Sequence, residues 1–231
     1  MFAKTVFSVL AAIATFALSL PSIADEFCAP ENLGEHKTKL VSYKTSGQYD
    51  ADLSAVANQA QQYLQERLGK VDKPAIVLDI DETTLSNYPA LKINDFGFIL
   101  GGACDLEKGP CGFLNWIEMA QATAIAPALE LYRYARANNV AVFFITGRPE
   151  RFRAATEKNL RDAGYNEWDN AYLKPADLKV ASAADYKGPL RCELQAKGYT
   201  IVVNMGDQPS DLAGGCAERT FLLPNPYYRI P

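Results

Sequence analysis

Apolar positions along the chain follow two alternating rhythms. Leu53, Val56, Ala60, Tyr63, Leu64 and Leu68 recur three and four apart, the spacing of one helix face, and Gly69 ends the run. Residues 75–80, Ala-Ile-Val-Leu-Asp-Ile, are then almost continuously apolar, as a strand buried on both faces must be. Pro127 in a first turn opens a helix over 128–137, which Asn138 and Asn139 close. A second buried strand over 140–145 runs into Thr146-Gly147-Arg148. A helix over 151–163, a short strand over 171–173 and a helix over 189–197 follow. A fourth strand covers 200–204 ahead of Gly206-Asp207, and a fifth covers 219–223. Residues 25–50 read as polar and irregular. Apolar strands alternating with helices predict an α/β fold: a Rossmann-like parallel sheet of about five strands with helices on both faces.

One stretch breaks the alternation. Residues 88–120 carry two glycine clusters, Cys104, Cys111, Phe96, Phe98 and Trp116, too much chain for a simple crossover after the first strand. A small cap insertion over the strand ends is expected there. Its aromatics read first as core, with stacking on an aromatic leaving group as the second option.

The N-terminus belongs to neither rhythm. Lys4, an apolar run over 6–20, Pro21 and Ser22-Ile23-Ala24 form a signal peptide over 1–24, cut before Asp25. The run is shorter than the roughly 20 apolar residues a membrane span needs. The remaining 25–231 is expected to be exported, periplasmic or secreted, with no membrane attachment after cleavage. Cys28 lacks the small apolar lead-in of a lipid anchor.

Export changes how the cysteines read. Cys28, Cys104, Cys111, Cys192 and Cys216 become bridge candidates in an oxidising compartment, and no C-x-x-C pair supports a zinc ribbon or a thioredoxin site. Cys104 and Cys111 flank a turn-rich loop that a bridge can close, and Cys192 with Cys216 is a second candidate. Sequence alone leaves the pairing open.

Charge narrows the chemistry. The 231 residues carry 23 Lys+Arg against 27 Asp+Glu, a net charge of −4, with no basic block. That argues against a nucleic-acid polymer as partner. The one histidine, His36, lies in a polar stretch. This argues against histidine-nucleophile phosphatases, multi-histidine zinc hydrolases and most Ser-His-Asp hydrolases.

Acids cluster at the strand ends, where open α/β sheets bind ligands. The first strand ends Asp79-Ile80-Asp81-Glu82-Thr83, the second in Thr146, and the fourth in Gly206-Asp207 with Asp211 close behind. Acids meeting in one crevice repel each other, and a hard cation resolves this. All-oxygen donors without histidine favour Mg²⁺.

These residues resemble the haloacid-dehalogenase-like phosphohydrolases. The segments Asp79-Ile-Asp-Glu-Thr-Thr-Leu-Ser-Asn87, Phe144-Ile-Thr-Gly-Arg148, Tyr186-Lys187 with Arg191, Lys197-Gly-Tyr199 and Gly206-Asp-Gln-x-x-Asp211 are similar to the exported acid phosphatase branch, subfamily IIIB, which also includes plant vegetative storage proteins. The resemblance covers about residues 50–224. It implies Asp79 as nucleophile and Asp81 as the acid that protonates the leaving oxygen and then activates water. It also implies Mg²⁺ on Asp79, the Asp81 backbone carbonyl and Asp207, with Asp211 orienting metal-bound water. Thr146 and Lys187 would hold the phosphoryl oxygens. With the cation and Lys187 set against three carboxylates, the pocket is nearly neutral and able to accept a dianion.

The function so implied is an exported, Mg²⁺-dependent acid phosphatase acting on a small phosphate monoester through an aspartyl-phosphate. Nucleotides, sugar phosphates and aryl phosphates all stay open as substrates. The alternative is a storage or binding protein of the same fold without turnover. A homodimer is left open. An acidic optimum is expected, because Asp81 must start protonated while Asp79 stays ionised. Arg148 reads as structural or as a neighbour of the reacting groups. Arg191 is either solvated or braces an acid.

Overall fold

Near-continuous apolar runs become the parallel strands of one sheet. The computed structural model describes residues 30–230; the signal peptide expected over 1–24 and Cys28 lie outside the described residues. Two helices, α1 (Leu33–Thr45) and α2 (Gln48–Arg67), precede β1 (Pro74–Leu78). β2 (Leu85–Ser86) pairs antiparallel with β3 (Thr123–Ala124), and between them lie α3 (Tyr88–Ile93) and α4 (Phe113–Met119). The chain continues through α5 (Ala126–Ala137), β4 (Ala141–Pro149), a 3₁₀ turn (Glu150–Phe152), α6 (Arg153–Asp162) and β5 (Asn170–Lys174). It ends with α7 (Ala184–Ala196), β6 (Thr200–Gly206), α8 (Pro209–Leu212) and β7 (Arg219–Leu222).

The five-stranded sheet has the order β5-β4-β1-β6-β7, with every neighbouring pair parallel. Period-two alternation assigns its faces. Ile76 and Leu78 of β1 with Val142 and Phe144 of β4 join the larger core, alongside Leu53, Ala60 and Leu64 of α2. Ala75 and Val77 with Phe143 and Ile145 face the other way, onto Tyr186 and Leu194 of α7. Helices therefore cover both faces, as the apolar runs require. Among the described residues no helix is long and apolar enough to cross a membrane.

The largest departures from the predicted elements lie at α1 and α7. Residues 33–45, read as irregular, form α1, whose single buried side chain, Leu40, leaves no apolar stripe to detect. α7 begins at Ala184, five residues ahead of the expected Pro189. Ser182 and Asp185 exchange side-chain-to-backbone hydrogen bonds there, satisfying amides at the helix start. The missing N–H of Pro189 is then tolerated inside the helix. The insertion 88–120 stands on the β2–β3 ladder. Its loop is closed by the Cys104–Cys111 disulfide, and Cys192–Cys216 ties α7 to the segment before β7.

Leu64 is fully buried under the sheet, whereas Gln65 beside it is exposed. Leu64→Ala is expected to cost about 2–5 kcal/mol in urea denaturation, from lost transfer energy and the cavity left behind. Gln65→Ala should stay within about 0.5 kcal/mol of the parent. A small effect at Leu64 would contradict this account of the core.

Candidate active site

The strand order reverses beside β1. The chain leaves β1 toward β4 and β5, then returns to its other side as β6 and β7, so a crevice opens at the carboxyl ends of β1 and β6. Register decides what lines it. Leu78 pairs with Met205, which puts Asp79 level with Gly206 and Asp207 one residue further on. Leu78 also pairs with Phe144, which puts Thr146 just beyond on the other neighbour. α8 then folds back, with Gln208 and Asp211 forming a capping box that returns the Asp211 side chain to the strand end.

One oxygen each from Asp79, Asp207 and Asp211 lies within 4.8 Å of the others, and all three residues are buried. Lys187, in the first turn of α7 and itself 4% exposed, reaches into this group. Its Nζ donates to Asp79 Oδ1 at 2.5 Å and to Asp211 Oδ1 at 2.6 Å. Asp211 Oδ2 accepts the Gln208 backbone N–H at 2.9 Å. Asp207 is held from three directions: Thr83 Oγ1 donates to Oδ1 at 3.2 Å, while Gln208 Nε2 and Asn225 Nδ2 donate to Oδ2 at 2.6 and 2.7 Å.

The electrostatics follow from crowding. Burial pushes the Asp79 carboxyl well above the usual carboxylate range; Lys187 opposes this, and Asp211, Asp207 and Asp81 add to it. Burial and Asp211 raise Asp207 to about 6, against the pull of Asn225 and Gln208. Burial alone would lower the Lys187 ammonium, but Asp79 and Asp211 outweigh it and hold the charge on. One lysine facing three buried carboxylates leaves negative charge uncompensated. A hard, oxygen-preferring divalent cation fits this donor set of buried carboxylates.

Asp81 stands on a different support. Burial would raise its carboxyl, yet the Arg148 guanidinium and Asn87 reverse the sign and hold it low. Arg148, 2% exposed, donates to Asp81 Oδ1 from Nη2 at 2.7 Å and from Nε at 3.1 Å. Asn87 Nδ2 donates to the same oxygen at 2.8 Å. A contrast in sign thus separates the two carboxyls, Asp79 shifted up and Asp81 down. Its causes are the Arg148 pair on one side and the crowded acids on the other.

Thr146 is buried, and its Oγ1 accepts the Arg148 backbone N–H at 3.2 Å, so the hydroxyl caps the turn. Arg191 braces backbone instead of an acid side chain. Its guanidinium donates to the carbonyls of Asp211 at 2.7 Å and Gly215 at 3.1 Å, and also to Ala213. Trp116 is core by burial, but its Nε1 donates to Asn87 Oδ1 at 2.8 Å. Through Asn87 the insertion touches Asp81.

Sequence reasoning passed over Asn87, Thr83, Gln208 and Asn225. The first three lie inside quoted motif segments as unassigned positions. Asn225 comes from a C-terminal stretch in which nothing marks a contact with Asp207. Glu82, fully buried and pushed up to about 8 by burial, was likewise unassigned; it accepts from the backbone N–H and Nδ2 of Asn87.

The fold is a parallel α/β sheet with a buried acid–lysine cluster at its switch point, a donor set that could hold a divalent cation. The chain belongs to the HAD superfamily, subfamily IIIB (acid phosphatase), which it matches over residues 9–231. That makes it, by family, a phosphoric monoester hydrolase. It is 33% identical over 190 residues to Acid phosphatase 1 of Solanum lycopersicum, covering 81% of this chain and 72% of that protein. It is also 31% identical over 189 residues to Vegetative storage protein 1 of Arabidopsis thaliana, covering 81% and 67%. The Class C acid phosphatase structure from Bacillus anthracis shares the fold, with a TM-score of 0.67 and 24% identity over 85% of this chain and 86% of that one.

Gly206 explains how closely Asp211 can approach. A Cβ at this position would lie 2.4 Å from Asp211 Cβ and 2.8 Å from its Cγ. Gly206→Ala must therefore displace Asp211 from Lys187. It should destabilise the fold by about 1–3 kcal/mol in thermal or urea denaturation, as overpacking does. Unchanged stability would contradict this packing.

Proposed function

We propose that the chain is an exported, Mg²⁺-dependent acid phosphatase that hydrolyses small phosphate monoesters through a phosphorylated Asp79. The observation that carries this reading is Lys187 bound to both Asp79 and Asp211 with Asp207 alongside. This grouping pairs a nucleophilic carboxylate with the positive charge a phosphoryl dianion needs. Two disulfides and the 1–24 segment support export, since such bridges persist in oxidising compartments.

In this reading Asp79, Asp207 and the Asp81 backbone carbonyl would hold the cation, with Asp211 beside them orienting its water. Bound there, Mg²⁺ supplies charge that offsets the phosphoryl oxygens. Lys187 turns from its carboxylate partners toward an incoming phosphoryl oxygen, and Thr146 offers its hydroxyl to another. A carboxylate oxygen of Asp79 attacks phosphorus as the bond to the leaving oxygen breaks, and Asp81 gives that oxygen its proton. Asp81, now ionised and aligned by Arg148 and Asn87, takes a proton from water as the water oxygen attacks phosphorus. The bond to Asp79 breaks and phosphate leaves. The Arg148 pair favours this base role of Asp81, and an acidic medium supplies the proton for the first half. The 88–120 insertion, joined to Asp81 through Trp116 and Asn87, is the element that selects the leaving group.

The test is hydrolysis of p-nitrophenyl phosphate from about pH 4 to 8, with Mg²⁺ and then with EDTA. Turnover should require the metal, vanish on chelation and return on adding Mg²⁺. Asp79→Asn should lower it by at least about a thousandfold. Wild-type turnover by Asp79→Asn would overturn the nucleophile. A wild-type protein inert toward p-nitrophenyl phosphate and toward a panel of nucleotides and sugar phosphates would replace the reading with the storage alternative.

A further inference from the structure

The last stretch of chain, residues 224–230, follows β7 and returns to the acid cluster. Asn225 is its point of contact: Nδ2 donates to Asp207 Oδ2 at 2.7 Å. The orientation of that amide is fixed by its other end. Asn225 Oδ1 accepts the backbone N–H of Tyr227 at 2.9 Å and of Tyr228 at 3.4 Å, so the NH₂ must face Asp207. Gln208 is fixed in the same way. Its Oε1 accepts the Ile230 backbone N–H at 2.9 Å, while its Nε2 donates to Asp207 Oδ2 at 2.6 Å and to the Tyr228 carbonyl at 3.4 Å. Two amide donors thus occupy Asp207 Oδ2. Oδ1, with the longer Thr83 contact at 3.2 Å, is the oxygen left to turn toward a cation.

The segment is also anchored by contacts that do not involve Asp207. The buried Tyr227 ring stacks on Phe96 at 5.7 Å and meets Tyr49 at 5.5 Å and Tyr88 at 5.6 Å. Tyr228 Oη donates to Glu82 at 3.3 Å. The stretch is therefore a strap, pinned to α2 and to the insertion, that holds an amide against one carboxylate.

We propose that Asn225 is a positioning residue for the cation site, setting the orientation of Asp207 from the C-terminal strap. This rests on the phosphatase reading of the site. Groups that hydrogen-bond metal-binding carboxylates fix their geometry, and their loss weakens metal affinity by about 10- to 100-fold.

Calorimetric titration of Mg²⁺ into metal-free wild type, Asn225→Ser, Asn225→Ala and Tyr227→Phe tests it, alongside melting in EDTA and kcat as a function of Mg²⁺. Serine keeps an acceptor for the local turn and removes the donor to Asp207. Asn225→Ser should bind Mg²⁺ about tenfold or more weakly, melt in EDTA close to wild type and regain kcat at high Mg²⁺. Tyr227→Phe should bind as wild type, because the Tyr227 hydroxyl makes no hydrogen bond among the described residues. Wild-type Mg²⁺ affinity in both Asn225 variants would overturn this inference alone. So would an affinity loss matched by an equal fall in EDTA melting temperature, which would mark a structural role. A wild-type protein that binds no Mg²⁺ would overturn the metal reading and this inference together.

Discussion

Three buried carboxylates within 4.8 Å of one another, two of them bound by a single lysine, are the constraint around which this molecule is arranged. In a low-dielectric crevice such a group is costly unless positive charge and N–H donors surround it. Each supporting element brings some of that compensation. α7 brings Lys187, and α8 turns its own N-terminal amide onto Asp211. Gly206 gives Asp211 the room to come so close. Arg191 then ties the backbone after α8 to α7, so the lysine and its acid partner are braced by the same helix. What remains uncompensated is negative charge in an oxygen-lined pocket, a donor set that a hard divalent cation fits.

Around the crowded acids sits a second, differently charged layer. Asp81 follows the same strand as Asp79 but is paired with Arg148 from the end of β4 and with Asn87. Two carboxylates two residues apart therefore have opposite environments, one raised and one lowered. Groups whose environments separate their proton affinities take separate roles in catalysis. Asn87 also joins Glu82 and Trp116, so the layer reaches from the strand end into the insertion without a break.

Much of this was legible in the sequence because it rests on strong, local signals. Five apolar runs and their order define the sheet; Asp79, Asp81 and Asp207 sit at the ends of those runs, with Asp211 one short helix beyond. Lys187 was readable through its motif context, although its helix was placed five residues late, since Pro189 mimics a first-turn proline. α1 was not legible, because a helix with one buried side chain leaves no periodic stripe. Arg148 and Asn87 lay inside recognised segments, but their bonds to Asp81 depend on side-chain direction, which spacing does not carry. Asn225 was the least legible. Its partner lies 18 residues earlier and its role depends on how the chain turns after β7.

A phosphorylated Asp79, as proposed for the reaction, is a species that can be trapped. Wild type and Asp81→Asn would be mixed with an aryl phosphate and Mg²⁺, quenched in acid within milliseconds to seconds, digested and read by mass spectrometry. A phosphoryl group is expected on the peptide bearing Asp79, accumulating in Asp81→Asn because an aryl oxide departs without the missing proton while water is no longer activated. Product release in Asp81→Asn with an unmodified Asp79 peptide at every time point would contradict it and point to direct attack by water.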